Sequence, residues 1–132
     1  MNQIQADITK IDSGNNITIV SFKAGQQQMK MMALEIDEDL EVGSKVILGA
    51  KATNIALAKE HLEDISISNQ LEATIEAIEM GSLLCSVRFL FETVSWESVI
   101  TRDSADRMHL AVGEKVVALL KSSELSIISV VE

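Results

Sequence analysis

Few side chains in this sequence have the types and spacing that catalysis requires. The two histidines, His61 and His109, are far apart in the chain, so we expect each to lie at a surface or an interface. No serine or cysteine carries a motif that marks a nucleophile, and no glycine-rich loop of the G-x-x-x-x-G-K type is present to hold a phosphate. The residues therefore predict a protein that is not an enzyme.

Residues that could bind a metal are also scarce. Cys85 is the only cysteine, which excludes an internal disulfide and a cysteine-based zinc site. It alternates with apolar neighbours, so we expect it to be buried and inert. Met29, Met31 and Met32 lack an accompanying Cys or His and are interpreted as core residues, and the acidic run 35–41 as a solvated turn. We expect no metal site.

Charge and composition narrow the range of partners. The net charge is −9, and each half of the chain has about twice as many acidic as basic residues, so no basic patch for nucleic acid is visible. One Trp and three Phe provide no obvious platform for stacking bases. Apolar stretches are too short to span a membrane, and the first residues do not form a secretion signal. We expect a cytoplasmic protein that binds neither nucleic acid nor membrane.

The sequence repeats itself once. At an offset of 67 residues, Asn2, Gln3, Ala6, Ile8, Ile11 and Gly14 align with Asn69, Gln70, Ala73, Ile75, Ile78 and Gly81. At an offset of 70, Leu40, Val42, Gly43, Lys45, Val46 and Lys51 align with Leu110, Val112, Gly113, Lys115, Val116 and Lys121. The change of offset indicates about three extra residues in the middle of the second copy. We predict two domains, 1–62 and 66–132, joined by a short, ordered connection within residues 59–68.

The hydrophobic pattern of both copies is mostly that of β-strands. Alternation and short apolar runs predict strands over residues 69–78, 83–91, 96–100, 116–122 and 125–131 of the second copy, and over 17–22, 29–34, 45–51 and 54–58 of the first. One or two helical turns should begin at Ser104, with Asp103 or Ser104 as the cap. Each copy is thus expected to form a small closed or partly closed barrel.

Size alone favours association. A copy of about 65 residues can bury only a limited apolar surface, and exposed strand edges invite further pairing. The two copies should therefore pack against each other and against other chains.

Three segments of the second copy resemble the Mop domain, also called a TOBE-type oxyanion domain. Residues 66–71 read S-I-S-N-Q-L where the family reads S-A-R-N-Q-L, residues 100–105 match I-T-x-x-S-A, and residues 118–123 match A-x-[IV]-K-[AS]-[ST]. The first copy resembles the family less closely. The resemblance implies two tandem OB-like barrels, each with a short helix, that bind molybdate or tungstate within cells. It also implies anion sites at interfaces between domains, and a trimer of two-domain chains.

The resemblance further implies a ligand set. Molybdate is a tetrahedral dianion whose oxygens only accept hydrogen bonds, so its site needs several converging donors. The candidates carried over from the family motifs are Ser66, Thr101, Ser104, Lys121 and Ser122, with Ser68, Asn69, Leu120 and Lys51 as weaker ones. Without the family motifs, Thr101 and Ser104 would be interpreted as helix caps, and Lys121 and Ser122 as a solvated strand end.

Two departures from the family predict fewer competent sites. Ser68 stands where the family has an arginine, and Arg102 or Arg107 could replace its charge. In the first copy, counting back from Gly43 places Met31 and Leu34 at the positions of the Thr and Ser ligands. The first copy would then act as scaffold or contribute only Lys51.

Two other functions remain open at this stage. The chain could be an interaction or regulatory module that has lost oxyanion binding, which the residues at positions 31, 34 and 68 favour. It could also be a sensor domain whose DNA-binding or transporter partner is a separate protein. The leading hypothesis is non-catalytic binding of molybdate or tungstate for storage or homeostasis.

Overall fold

The computed structural model describes all residues, 1–132, as a mainly β protein with one α-helix. Its strands are β1 (Asn2–Gly14), β2 (Ile17–Ala24), β3 (Gln27–Ala33), β4 (Lys45–Ala50), β5 (Ala56–Ala58), β6 (Asn69–Met80), β7 (Leu84–Phe91), β8 (Val94–Thr101), β9 (Lys115–Leu120) and β10 (Ser126–Val130). The helix, α1, spans Arg102–Met108, and 3₁₀ turns lie at Ala52–Asn54 and Ser122–Glu124. Buried and exposed residues alternate along most strands, as the sequence pattern predicts.

The two copies exchange their last strands. One sheet has the order β10-β4-β1-β2-β3 and the other β5-β9-β6-β7-β8, with all pairs antiparallel. Strand β5 of the first copy pairs with β9, so that Leu57 lies opposite Ala118. Strand β10 of the second copy pairs with β4, where Ile127 lies opposite Leu48. The two copies thus form the two small barrels that the sequence predicts, and each sheet is completed by a strand from the other copy. The division at residues 62–66 stays a prediction.

The two copies are related residue by residue over their first three strands. The pairing of Thr18 with Ala33 recurs as Cys85 with Ile100, at the offset of 67 found in the sequence. Bulges also recur at equivalent positions, between Ile8 and Lys10 in β1 and after Ile75 in β6. Since a bulge bends a strand and increases its twist, β1 and β6 can each curve around the core.

Two buried asparagine side chains attach each copy to the edge strand of the other. The Nδ2 group of Asn69 donates to the carbonyl of Lys30 at 2.8 Å, and the N–H of Lys30 donates to Oδ1 of Asn69 at 2.7 Å. Asn2 forms the same pair of bonds with the backbone of Glu97, at 2.9 and 2.8 Å. Each amide imitates a peptide group of a further strand. We call these contacts the amide clasps.

A single core runs through both copies. It contains 27 buried residues, which come from both sheets. Phe91 and Trp96 pack edge to face, with ring centroids 4.7 Å apart. The indole N–H of Trp96 donates to the carbonyl of Gln3 at 3.0 Å, and the buried hydroxyl of Ser98 donates to the carbonyl of Ile55 at 2.6 Å. These contacts join strand β8 to the first copy and satisfy the polar groups that the core encloses.

The single α-helix begins earlier than predicted. Thr101 is its N-cap, since its hydroxyl accepts from the N–H of Ser104 at 3.1 Å. The prediction of Asp103 or Ser104 as cap is therefore wrong, and Ser104 lies inside the first turn. The first copy has no α-helix, only the 3₁₀ turn Ala52–Asn54 that matches Ser122–Glu124. Its segment is three residues shorter there, which leaves too little chain for a helix.

The connection between the copies is ordered by side chains at both ends. Gln70 binds the N–H and carbonyl of Leu62 at 2.9 and 2.8 Å, and donates to the carbonyl of Ile67 at 3.0 Å. Lys59 forms an ion pair with Glu114, and this hydrogen bond lowers the pKa of the Glu114 carboxyl. The prediction of a short, ordered connection is confirmed.

Removing an amide clasp should destabilise the fold. In Asn69→Ala, the N–H and carbonyl of Lys30 lose their partner in a part-buried position, and the loss of each such partner costs about 1 kcal/mol or more. We expect the free energy of unfolding in urea to fall by about 2 kcal/mol or more. Asn54→Ala, which removes only an exposed amide, is the control and should change it by less than about 0.5 kcal/mol. Equal effects of the two substitutions would contradict this role of Asn69.

Candidate oxyanion site

The candidate ligands fall into two clusters. Ser66, Ser68, Lys121 and Ser122 lie where β6 begins and β9 ends, and we call them the Lys121 cluster. Thr101 and Ser104 lie at the beginning of α1, and we call them the helix-start cluster.

The Lys121 cluster brings two hydroxyls together, one of them next in sequence to a lysine that has no ion-pair partner. The Oγ atoms of Ser68 and Ser122 are 3.4 Å apart. Lys121 is exposed, caps the 3₁₀ turn that begins at Ser122, and forms no ion pair with any carboxylate of the chain. The nearest acidic residue in sequence, Glu124, accepts instead from Nδ2 of Asn54 at 3.0 Å. The ammonium group is therefore available to an anion.

The remaining residues of this region have different surroundings. Ser66 is exposed in the connection that Gln70 holds. Leu120 is buried at the end of β9, opposite Asn69. The amide of Asn69 is bound to the backbone of Lys30, so it positions the neighbouring Ser68. This clasp was missed by sequence reasoning, because its partner lies in the other copy.

The helix-start cluster is a network of hydroxyls beside two paired arginines. The hydroxyls of Thr101 and Ser104 are 2.9 Å apart, and a guanidinium nitrogen of Arg107 lies 3.5 Å from Oγ of Ser104. Arg107 also pairs with Asp103, and Arg102 with Asp106. Both arginines are therefore partly neutralised, and neither lies in the Lys121 cluster, where the family's arginine would be.

The structure does not bring the two clusters together within one chain. Asn69, beside the Lys121 cluster, is the first residue of β6, whereas Thr101 pairs with Leu84 at the end of the sheet where β6 finishes at Met80. A strand of 12 residues is roughly 40 Å long when extended, several times the size of a tetrahedral oxyanion. One anion therefore cannot contact both clusters of the same chain.

The first copy has a pocket at the position equivalent to the Lys121 cluster. It has a volume of about 400 Å³ and is lined by Met1, Asn2, Lys51, Ala52, Thr53 and Glu97. We call it the Lys51 pocket. It combines the ammonium group of Lys51 and the hydroxyl of Thr53 with the carboxylate of Glu97, whereas no carboxylate pairs with Lys121.

The strand register corrects the assignment of two residues in the first copy. Met31 is buried and is equivalent to Ser98, at the offset of 67, so it does not occupy the position of Thr101. The equivalent of Thr101 is Leu34, and Ser104 has no helical counterpart. Counting back from Gly43 failed because the three extra residues lie between β8 and Gly113. The first copy thus has an exposed leucine in place of the Thr101 hydroxyl.

Other groups with chemical potential lie outside both clusters. Burial raises the pKa of the Cys85 thiol, which keeps it protonated and unreactive. His109 ends α1 with a left-handed backbone, and His61 lines an open groove between the copies. No three His, Cys, Asp or Glu side chains are arranged to hold a metal ion, and no helix has the length and apolar character needed to cross a membrane.

Comparison with protein families identifies the second copy. Residues 65–127 match the sequence profile of the TOBE domain. The match covers just under half of the chain. The resemblance inferred from residues 66–71, 100–105 and 118–123 is therefore confirmed, and these segments include both clusters of the candidate site.

Known proteins extend the comparison to the whole chain. The molybdenum import ATP-binding protein ModC of Brucella abortus is 36% identical over 87 residues, which cover 65% of this chain and 24% of ModC. The chain thus spans about a quarter of the length of the curated relatives it matches. The cytoplasmic molybdate-binding protein ModG, with molybdate bound, is 21% identical with a TM-score of 0.88, covering 95% of this chain and 93% of its own. This match confirms the two-copy fold.

The role of Thr101 as the N-cap of α1 can be tested without any ligand. Thr101→Val keeps the shape but removes the acceptor for the N–H of Ser104, and loss of an N-cap costs about 1 kcal/mol. We expect this loss in urea unfolding, whereas Thr101→Ser should retain most of the stability. If Thr101→Val were as stable as Thr101→Ser, the hydroxyl would not be acting as a cap.

Proposed function

We propose that this chain binds molybdate or tungstate without catalysis, for storage or homeostasis in the cytoplasm. The observation that carries the proposal is the Lys121 cluster, in which the hydroxyls of Ser68 and Ser122 lie 3.4 Å apart and Lys121, the residue before Ser122, has no carboxylate partner. It lies within the TOBE domain, and ModG, which shares the fold, is a cytoplasmic molybdate-binding protein.

The donor set suits a fully deprotonated tetrahedral anion. Hydroxyl and ammonium groups donate to oxygens that can only accept, and the charge of Lys121 strengthens its bond. Phosphate is partly protonated near pH 7 and needs an acceptor for its own O–H. The ammonium group of Lys121 cannot accept a hydrogen bond, so it does not meet this need. Local donors are decisive, because a net charge of −9 gives no long-range attraction for an anion.

We assign the two clusters to one site formed between two chains. Because they lie at opposite ends of β6, the Lys121 cluster of one chain would meet Thr101 and Ser104 of another. Apolar side chains surround the helix-start cluster and are exposed in the single chain, most of all Leu83 at 79%, together with Leu84 and Met80. Exposed apolar patches mark association surfaces. We propose a trimer of two-domain chains.

Anion binding should depend on Lys121. Titration calorimetry should give saturable heat with molybdate or tungstate, and little with the partly protonated phosphate. Sulfate is also fully deprotonated but smaller, so its heat shows how far size contributes to selection. Lys121→Ala should weaken molybdate binding at least about tenfold, the effect of losing a hydrogen bond to a charged group. Lys115→Ala is the matched control, because it removes the same charge from the opposite end of β9. No heat from the wild-type chain with any anion would refute the proposal.

Association should depend on the apolar patch. Light scattering coupled to size-exclusion chromatography should give the mass of three chains, and Leu83→Glu should yield smaller species because it places a charge in the contact. Val42→Glu alters another exposed apolar residue, in the first copy, and serves as the control. A wild-type monomer would exclude a site shared between chains.

An interaction module that has lost anion binding is the second candidate. The serine at position 68, in place of the family's arginine, and Leu34, at the position of the Thr101 hydroxyl, favour it. The calorimetric experiment separates the two functions, because this module would associate through the same surfaces but give no heat with oxyanions.

A further inference from the structure

The two copies carry opposite charges at one equivalent position. Lys30 on β3 and Glu97 on β8 are related by the offset of 67 that relates the first three strands. Each is the residue whose backbone is held by an amide clasp, Lys30 by Asn69 and Glu97 by Asn2. Their backbones are therefore fixed in the same way, and only the side-chain charge differs.

The position lies beside the anion-binding segment in both copies. Glu97 lines the Lys51 pocket together with Asn2 and Lys51. Strand β8 lies against the 3₁₀ turn that follows Lys51, and β3 lies against the 3₁₀ turn that follows Lys121. The same arrangement thus places Lys30 next to the Lys121 cluster.

Lys30 can supply the second positive charge that the Lys121 cluster lacks. Its neighbours Met29 and Met31 are buried, so its own side chain projects outward from the barrel, and it is exposed. It forms no ion pair within the chain. Its backbone is bound to Asn69, the residue next to Ser68, where the family's arginine is missing. A flexible ammonium group from this position can reach an anion held by Ser68 and Ser122.

We propose that Lys30 is a second cationic ligand of the Lys121 site, supplied by the other copy, and that Glu97 closes the Lys51 pocket to dianions. This inference rests on the proposed function. A second ammonium group replaces the charge absent at Ser68, whereas a carboxylate at the equivalent place repels a dianion and offsets the charge of Lys51. The identity of this residue then adds to the missing equivalents of Thr101 and Ser104 in making the copies differ in molybdate binding.

Calorimetric titration of the full chain with molybdate tests the role of Lys30. Lys30→Gln should weaken binding about tenfold or more, Lys30→Arg should restore most of it, and the control Lys115→Gln should leave it unchanged. Lys30→Gln should also flatten the dependence of affinity on salt, which a purely structural effect would not do. Thermal unfolding of each variant checks that the fold is intact.

The reciprocal substitution tests the role of Glu97. Glu97→Lys should raise the number of molybdate ions bound per chain, whereas Glu97→Gln should raise it less or only at higher concentration. If wild type binds and Lys121→Ala does not, but Lys30→Gln matches wild type, the inference about Lys30 is overturned and the proposed function stands. An unchanged stoichiometry in Glu97→Lys overturns the role of Glu97. Absence of binding by wild type removes the function and the inference together.

Discussion

The architecture depends on backbone pairing between the two copies. Each sheet receives one edge strand, β10 or β5, from the other copy. The strand at its opposite edge, β3 or β8, is held by a buried asparagine amide from the other copy. These bonds are directional and partly buried, so they fix the copies in one orientation more tightly than apolar contact alone would. Ser68 and Lys121 adjoin β6 and β9, which pair with each other, and β9 also pairs with the exchanged strand β5.

Under the proposed function, anion recognition in so acidic a chain depends on local contacts. Glu124, the acidic residue nearest to Lys121 in sequence, accepts a hydrogen bond from Asn54, and Lys121 has no carboxylate partner. Hydroxyl donors add hydrogen bonds without adding charge. With few cations near the proposed site, a change of charge at one position, Lys30 in one copy and Glu97 in the other, would have a large effect on its electrostatics.

Local patterns in the sequence were sufficient to predict the strands, the repeat and the family motifs of the second copy. The exchange of β5 and β10 could not be predicted, because a strand has the same hydrophobic pattern whichever copy it joins. The start of α1 was misplaced since Thr101, Asp103 and Ser104 are all good capping residues, and only geometry selects among them. The clasp partners of Asn2 and Asn69 were missed for a further reason: nothing in sequence links residues so far apart.

The exchanged strands also affect how the chain can fold during synthesis. Strand β4 obtains its outer neighbour only from residues 126–130, which are synthesised after the whole of the second copy's first four strands. Until then the first copy has an open edge, and its polar backbone groups remain free to pair with other chains. Pairing between segments so far apart in sequence is slow to form. The fused duplication therefore makes completion of the first barrel wait for synthesis of the second copy.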